Sequence, residues 1–190
     1  MQSVGEGYAE LLARQPWHWF ATLTFSPTKW IMDGGRRREV DRFHPLYGMH
    51  PEAADKCFRW FVARLNDAVY GRKWEKRNPG GVVWARGTEL HASGRLHYHA
   101  VIAASDCDLN KVASRYHWHE FWFREFGRNQ LERPSSQDDV VGYVSKYVVK
   151  GGVVDVSRNF DAVQPLNIFR VGSEQMAGEL RVKPAAAGPV

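Results

Sequence analysis

The stretch VVWARGTELHASGRLHYHAVIA, residues 82–103, decides the fold. Val82 to Glu89 and Arg95 to Ala103 are rich in β-branched and aromatic residues, and the short His91-Ala92-Ser93-Gly94 segment between them has turn composition. The two runs are therefore expected to pair as an antiparallel hairpin. Side chains alternate between the faces of a strand, so His97 and His99 share one side, about 7 Å apart along the backbone. Two neutral imidazoles at that spacing can converge on one divalent ion, and a carboxylate from a neighbouring strand completes an open site. Glu89, on the preceding strand, is the natural third ligand; His91 falls in the turn and is the poorer substitute. The same pattern also fits two surface histidines on a solvent-facing strand, and on these residues alone both readings stand.

Outward from the hairpin, Trp17 to Phe25 (WHWFATLTF) alternates as a core strand until Ser26-Pro27 stops it. Thr22 and Thr24 are the members of that strand able to touch DNA or support metal ligands. Lys29 to His50 is polar and contains Gly34-Gly35 followed by Arg36, Arg37 and Arg38, which reads as a functional loop or a merely solvated one. Residues 51–70 place Cys57, Phe58, Phe61, Leu65 and Val69 at helical spacing, and the GRKWEKRNPGG turn that follows supplies Arg72, Lys73 and Lys76. Residues 108–126 read as a helix whose Trp118, Phe121, Trp122 and Phe126 make a core stripe. A short strand is expected at Asn129 to Arg133, then a last helix from about Gln137 to Lys150, with Asp138 and Asp139 in its first turn and Gly151-Gly152 at its end. The elements amount to three or four strands and three or four helices, an α+β pattern.

Composition bounds the partners. At 190 residues, 44% hydrophobic and 25% charged, the chain suits one ordinary domain, and no apolar run is long enough to span a bilayer. The segment MQSVGEGYAELLARQ has no apolar signal-peptide core, so no membrane association and a cytoplasmic location in a bacterial or archaeal cell are expected. Cys57 and Cys107 lack zinc-ligand spacing and read as reduced thiols. Lys and Arg number 26 against 21 Asp and Glu, a net charge of +5 that favours an anionic partner.

On the last helix, Tyr143 and Tyr147 stand at i and i+4, and Lys146 and Lys150 each follow a tyrosine by three. A phenol, with its ordinary pKa near 10, is a poor nucleophile at neutral pH unless its anion is stabilised, and lysines supply that field. The same residues also describe an amphipathic helix whose tyrosines pack on a sheet and whose lysines snorkel.

Read in order, FATLTF (20–25), LHYHAVI (96–102) and YVSKYVVK (143–150) resemble the three motifs of the HUH endonucleases, the rolling-circle replication initiators of small phages and plasmids. The resemblance covers roughly residues 17–152. It implies a ferredoxin-like or RRM-like palm, a central antiparallel sheet of about five strands flanked by helices. It also implies His97 and His99 as ligands of Mg²⁺ or Mn²⁺ with Glu89 as the third, and Tyr147 or Tyr143 as the nucleophile, assisted by Lys146 and Lys150. The spacing of the tyrosines is similar to that of the two-tyrosine gene A proteins of small phages, while KYVVK looks like the single-tyrosine plasmid type; Tyr147 fits both.

The implied reaction is nicking and joining of single-stranded DNA at a replication origin through a 5′-phosphotyrosine, with Arg36, Arg37, Arg38, Arg72, Lys73 and Lys76 as candidate DNA contacts. The chain carries no helicase-like P-loop, so it reads as a stand-alone nuclease domain or as a nuclease whose unwinding partner is separate, with a host helicase and polymerase as candidate partners. The expected layout is a helical lead at 1–16, the endonuclease domain at 17–172 and a flexible tail at 173–190. Alternatives are a noncatalytic single-strand-binding module on an RRM-like sheet, and a relaxase or transposase of the same superfamily. A relaxase usually carries its tyrosine ahead of the histidines. A histidine-triad hydrolase needs a third histidine at position 101, which is valine.

Overall fold

The computed structural model describes residue 10 and residues 12–41, 49–76, 80–90, 95–136, 139–140 and 154–160. The expected hairpin is present as β4 (Val83–Leu90) and β5 (Leu96–Ala103), antiparallel with Glu89 directly opposite His97 and Gly87 opposite His99. Strand β1 (Trp19–Thr24) lies on the other side of β5, with Thr22 opposite His99 and Thr24 opposite His97. Strand β6 (Asn129–Glu132) pairs with β1, and β7 (Val154–Val156) with β4. The result is a five-stranded, wholly antiparallel sheet in the order β6-β1-β5-β4-β7. With helix α1 (Pro51–Tyr70) between β1 and β4, and α3 (Arg115–Glu125) between β5 and β6, the path is the β-α-β-β-α-β of ferredoxin-like folds, extended by β7. The fold class read from the sequence is the one observed.

One face of this sheet is the main core. The buried positions of β1, namely Trp19, Ala21 and Leu23, point the same way as Leu96, Tyr98, Ala100 and Ile102 of β5, and the helices bury Phe58, Phe61, Leu65, Trp118 and Trp122 against them. Edge-to-face ring pairs knit the layers: Phe58 to Trp84 at 4.9 Å, Phe61 to Trp122 at 5.3 Å and Phe25 to Trp122 at 5.5 Å. The buried Trp122 indole donates to the Thr24 carbonyl at 3.0 Å, which ties α3 to the end of β1. Gly127 permits the same crossing: its φ is +151°, and a Cβ there would stand 2.5 Å from the Ser26 nitrogen.

The opposite face is divided. Leu12, Trp17, Val140 and Phe160 cover Val83, Ala85, Val101 and Ala103 at one end. Glu89, His97 and His99 occupy the other end of that face.

Three elements differ from the sequence expectation. The segment read as a loop after Lys29 contains a hairpin, β2 (Thr28–Asp33) and β3 (Arg36–Asp41), turned by Gly34 and Gly35 at φ 55° and 77°. Positive φ at both central residues is what a two-residue hairpin turn demands. The expected helix over 108–126 is two, α2 (Leu109–Val112) and α3, each with its own cap: Asp108 accepts from Asn110 N and Ser114 from His117 N. Strand β7 was not anticipated. The last helix beyond Val140, the His91 turn, the lead up to residue 9 and the 173–190 tail lie outside the described residues. Among those described, no helix is long and apolar enough to cross a membrane.

A buried arginine fastens β7 to the rest. Arg86, 6% exposed, donates from Nη2 to Asp55 Oδ1 at 2.8 Å and Asp155 Oδ2 at 3.0 Å, and its guanidinium lies 4.2 Å over the Tyr98 ring and 4.7 Å over Phe58. Arg59 binds the same two aspartates from the solvent side, at 2.7 and 3.1 Å. Burial raises the Asp55 carboxyl, but the bonds and charges of Arg59 and Arg86 outweigh it and hold it below its ordinary value. Removing one member of a buried pair costs far more than removing an exposed one. Arg86→Ala is therefore expected to lower stability by about 3 kcal/mol and Arg59→Ala by about 1 kcal/mol or less, read from urea midpoints at unchanged slope; equal losses would refute the assignment. Because Asp55 is lowered in the folded state, its contribution is full above its ordinary value and is lost as pH falls through the lowered one.

Candidate metal centre

The hairpin register builds the site. Since Glu89 sits across from His97, and His99 follows on the same face of β5, all three side chains must converge. Glu89 Oε2 lies 3.2 Å from His97 Nε2 and 3.0 Å from His99 Nε2, the imidazoles are 4.9 Å apart at 78°, and one ligand atom from each residue falls within 4.8 Å of the others. Three donors each about 2.1 Å from one ion in octahedral geometry stand about 3 Å apart, so the carboxylate-to-imidazole separations suit a single divalent ion. Nitrogen and carboxylate donors together suit a first-row ion or Mg²⁺.

Neighbouring groups orient the ligands. Thr22 Oγ1 lies 3.3 Å from His99 Nδ1, so a proton on Nδ1 leaves the Nε2 lone pair free to coordinate. The Phe20 ring stacks near His99 at 6.4 Å and 18°. His99 is buried, while His97 and Glu89 are half-buried, leaving the cluster an accessible side. Burial raises the Glu89 carboxyl, and the bonds and charges of His97 and His99 more than offset it, so the group lies below its ordinary value and is ionised at neutral pH.

Residues 18–152, well over half of the 190-residue chain, match the family model for the replication-associated protein ORF2. The chain belongs to that family. No curated protein and no solved structure matches the chain. The ORF2 family match spans β1, both strands of the β4–β5 hairpin and the tyrosine segment; β7 falls just beyond it. Membership makes this a DNA-replication protein, with DNA as its partner.

The other candidate residues are distributed unevenly. Arg36, Arg37 and Arg38 form the exposed start of β3, on a hairpin that begins four residues after Thr24, itself opposite His97. Arg37 also has contacts of its own. Arg72, Lys73 and Lys76 follow α1, whose last residue, Tyr70, accepts from Ser105 N at 3.1 Å. They therefore leave the helix at the Ser105 end of β5, about 20 Å of strand from His97. The structure brings Glu89, His97, His99 and Thr22 together and keeps that basic turn apart from them. Tyr143, Lys146, Tyr147 and Lys150 lie outside the described residues.

Proposed function

We propose that this replication-associated protein is a metal-dependent HUH-type endonuclease that nicks single-stranded DNA through a tyrosine and so initiates rolling-circle replication. The observation that carries the proposal is the convergence of His97 Nε2, His99 Nε2 and Glu89 Oε2 on one face of the sheet. A divalent ion held there supplies Lewis-acid polarisation of a phosphoryl oxygen. Mg²⁺ and Mn²⁺ are the ions in view.

The described residues on either side of the tyrosine segment, Val140 and Val154, belong to that same sheet unit, which supports the reading. Val140, buried among Val83, Ala85 and Val101, precedes Tyr143 by three residues, and three residues of chain span at most about 11 Å. Val154, after the segment, pairs with Gly87, which is itself opposite His99. In the proposed step the tyrosine oxygen attacks the scissile phosphorus in line. A P–O bond to tyrosine forms, the P–O3′ bond breaks, the phenolic proton is given up and the departing 3′ oxygen takes one. The products are a 5′-phosphotyrosine and a free 3′-OH. The linkage keeps the bond energy, so a 3′-OH can reverse the step and join ends. Lys146 and Lys150 stabilise the phenolate and hold phosphate oxygens.

The test is incubation with a diverse pool of single-stranded oligonucleotides and Mn²⁺, read on a denaturing gel. A covalent protein–DNA adduct that EDTA abolishes is the expected result. Binding without any adduct across the pool would replace the nuclease with a noncatalytic single-strand-binding module.

A further inference from the structure

Beyond the metal centre, the sheet ends in a groove to which no role has been given. Strand β6 is an outer strand of the sheet, and where α3 begins beside it two adjoining surface hollows of about 290 and 330 Å³ share Arg115 and Tyr116 in their walls. Arg133 and Asn110 line the first, His119 and Gln130 the second.

The lining has the chemistry of a nucleotide subsite. Tyr116 is 74% exposed, a large ring held out in solvent on the first turn of a helix, where it buries nothing that explains it. Arg115 and Arg133 line the same hollow as Tyr116, and among the described residues neither pairs with a carboxylate. Both are held in place by neutral acceptors. Arg115 Nη1 donates to the Leu131 carbonyl at 3.3 Å, and Arg133 Nε donates to Asn110 Oδ1 at 3.0 Å, an oxygen also fixed by the buried Trp19 indole. The acid of the groove, Glu132, accepts from Gln130 Nε2 at 2.6 Å. Two fixed cations lining one hollow with an exposed ring can take a base on the ring and phosphates on the cations.

The groove lies at the edge where the two faces of the sheet meet: α3, which carries Arg115 and Tyr116, packs on the core face, whereas Gln130 looks to the metal side. Gln130 is directly opposite Thr22, and Thr22 is directly opposite His99, so the three share one row across one face of the sheet. Two inter-strand spacings, about 10 Å, separate the backbones of His99 and Gln130. A strand lying across β5 and β1 from the metal cluster arrives at the β6 edge, and passing round that edge it meets Arg115 and Tyr116 on the helix side.

We infer that the Arg115–Tyr116–Arg133 groove is a subsite for a nucleotide of the single strand that has passed the β6 edge, its base stacked on Tyr116 and its phosphates held by Arg115 and Arg133. This rests on the proposed single-stranded DNA substrate and deepens it. It also gives a physical basis for strand selection, since a base can stack on Tyr116 only when it is not already stacked and paired in a duplex.

The test is fluorescence anisotropy with a labelled single-stranded oligonucleotide of mixed sequence, in EDTA so that binding is read without cleavage, against a duplex of the same length and a free mononucleotide. Tyr116→Ala is expected to weaken single-strand binding about tenfold, Tyr116→Phe to leave it near wild type, and duplex binding to be the same in all three proteins. Arg133→Gln is expected to reduce the slope of log Kd against log salt by about 0.7, one phosphate contact on a single strand. Saturation by the mononucleotide at concentrations as low as those of the strand would overturn the inference in favour of a free-nucleotide site. Unchanged binding in Tyr116→Ala, or equal losses in the Ala and Phe variants, would also overturn it. A wild-type protein that binds no single strand removes both the groove and the nuclease. Loss of binding in Tyr116→Ala alongside the absence of any EDTA-sensitive adduct keeps the groove and removes the nuclease.

Discussion

In the adduct assay, His99→Ala is expected to lower the rate of covalent adduct formation at least about 10³-fold, the scale on which losing a key electrostatic stabiliser acts. His97→Ala and Glu89→Gln should fall in the same range. The three ligand atoms stand within 4.8 Å of one another, so each variant leaves two donors and no substitute at hand among the described residues. His99 should be the most damaging of the three, because it is the buried one and the one whose ring Thr22 orients. Thr22→Val keeps the strand's shape and removes the hydroxyl that lies 3.3 Å from Nδ1. It is expected to weaken Mn²⁺ binding about tenfold to a hundredfold without abolishing it. Calorimetric titration with Mn²⁺ separates these effects from catalysis: ligand variants should show no measurable site, Thr22→Val a weaker one, and thermal unfolding in EDTA should change little. Full adduct formation by His97→Ala and His99→Ala at ordinary Mn²⁺ would remove the metal centre from the mechanism.

Much of this cluster is legible in the sequence, for a reason particular to strands. Alternation has a period of two, so His97 and His99 had to share a face wherever the strand lay, and a short hairpin turn left Glu89 few registers other than the one found, opposite His97. The aromatic spacing of α1 and α3 announced the helix layer in the same way. What escaped notice had no periodic signature. The β2–β3 hairpin exposes most of its described side chains, so Arg36 to Glu39 show no apolar alternation, and only Gly34-Gly35 marked the turn. β7 is three residues long and is defined by its partner β4. The break between α2 and α3 falls at Ala113-Ser114, ahead of the aromatic stripe that begins at Trp118, so the stripe carries no mark of it. The role of Arg86 carries no local signal, since its two aspartate partners are 31 and 69 residues away. The β6 groove is likewise non-local, made where residues 110–116 meet 129–133.

The second large effect concerns the tyrosines. Tyr147→Phe is expected to abolish the first covalent adduct, at least about 10³-fold, whereas Tyr143→Phe should still form it. The chemistry behind this order is electrostatic. Tyr147 directly follows Lys146 and precedes Lys150 by three residues, while Tyr143 has one lysine at that spacing and none before it. The phenol with two cations beside it has the better stabilised anion and is the better nucleophile near neutral pH. If the two act in alternation, Tyr143 takes the phosphoryl group in the second transfer. Tyr143→Phe should then cut once, accumulate adduct and fail to release a joined circle. The decisive measurement runs the two single variants and the double variant side by side, scoring adduct on a denaturing gel and circular product by exonuclease resistance. Single-stranded DNA binding should be retained in all three. Adduct lost in Tyr143→Phe and kept in Tyr147→Phe would reverse the order, and adduct kept in the double variant would move the nucleophile elsewhere.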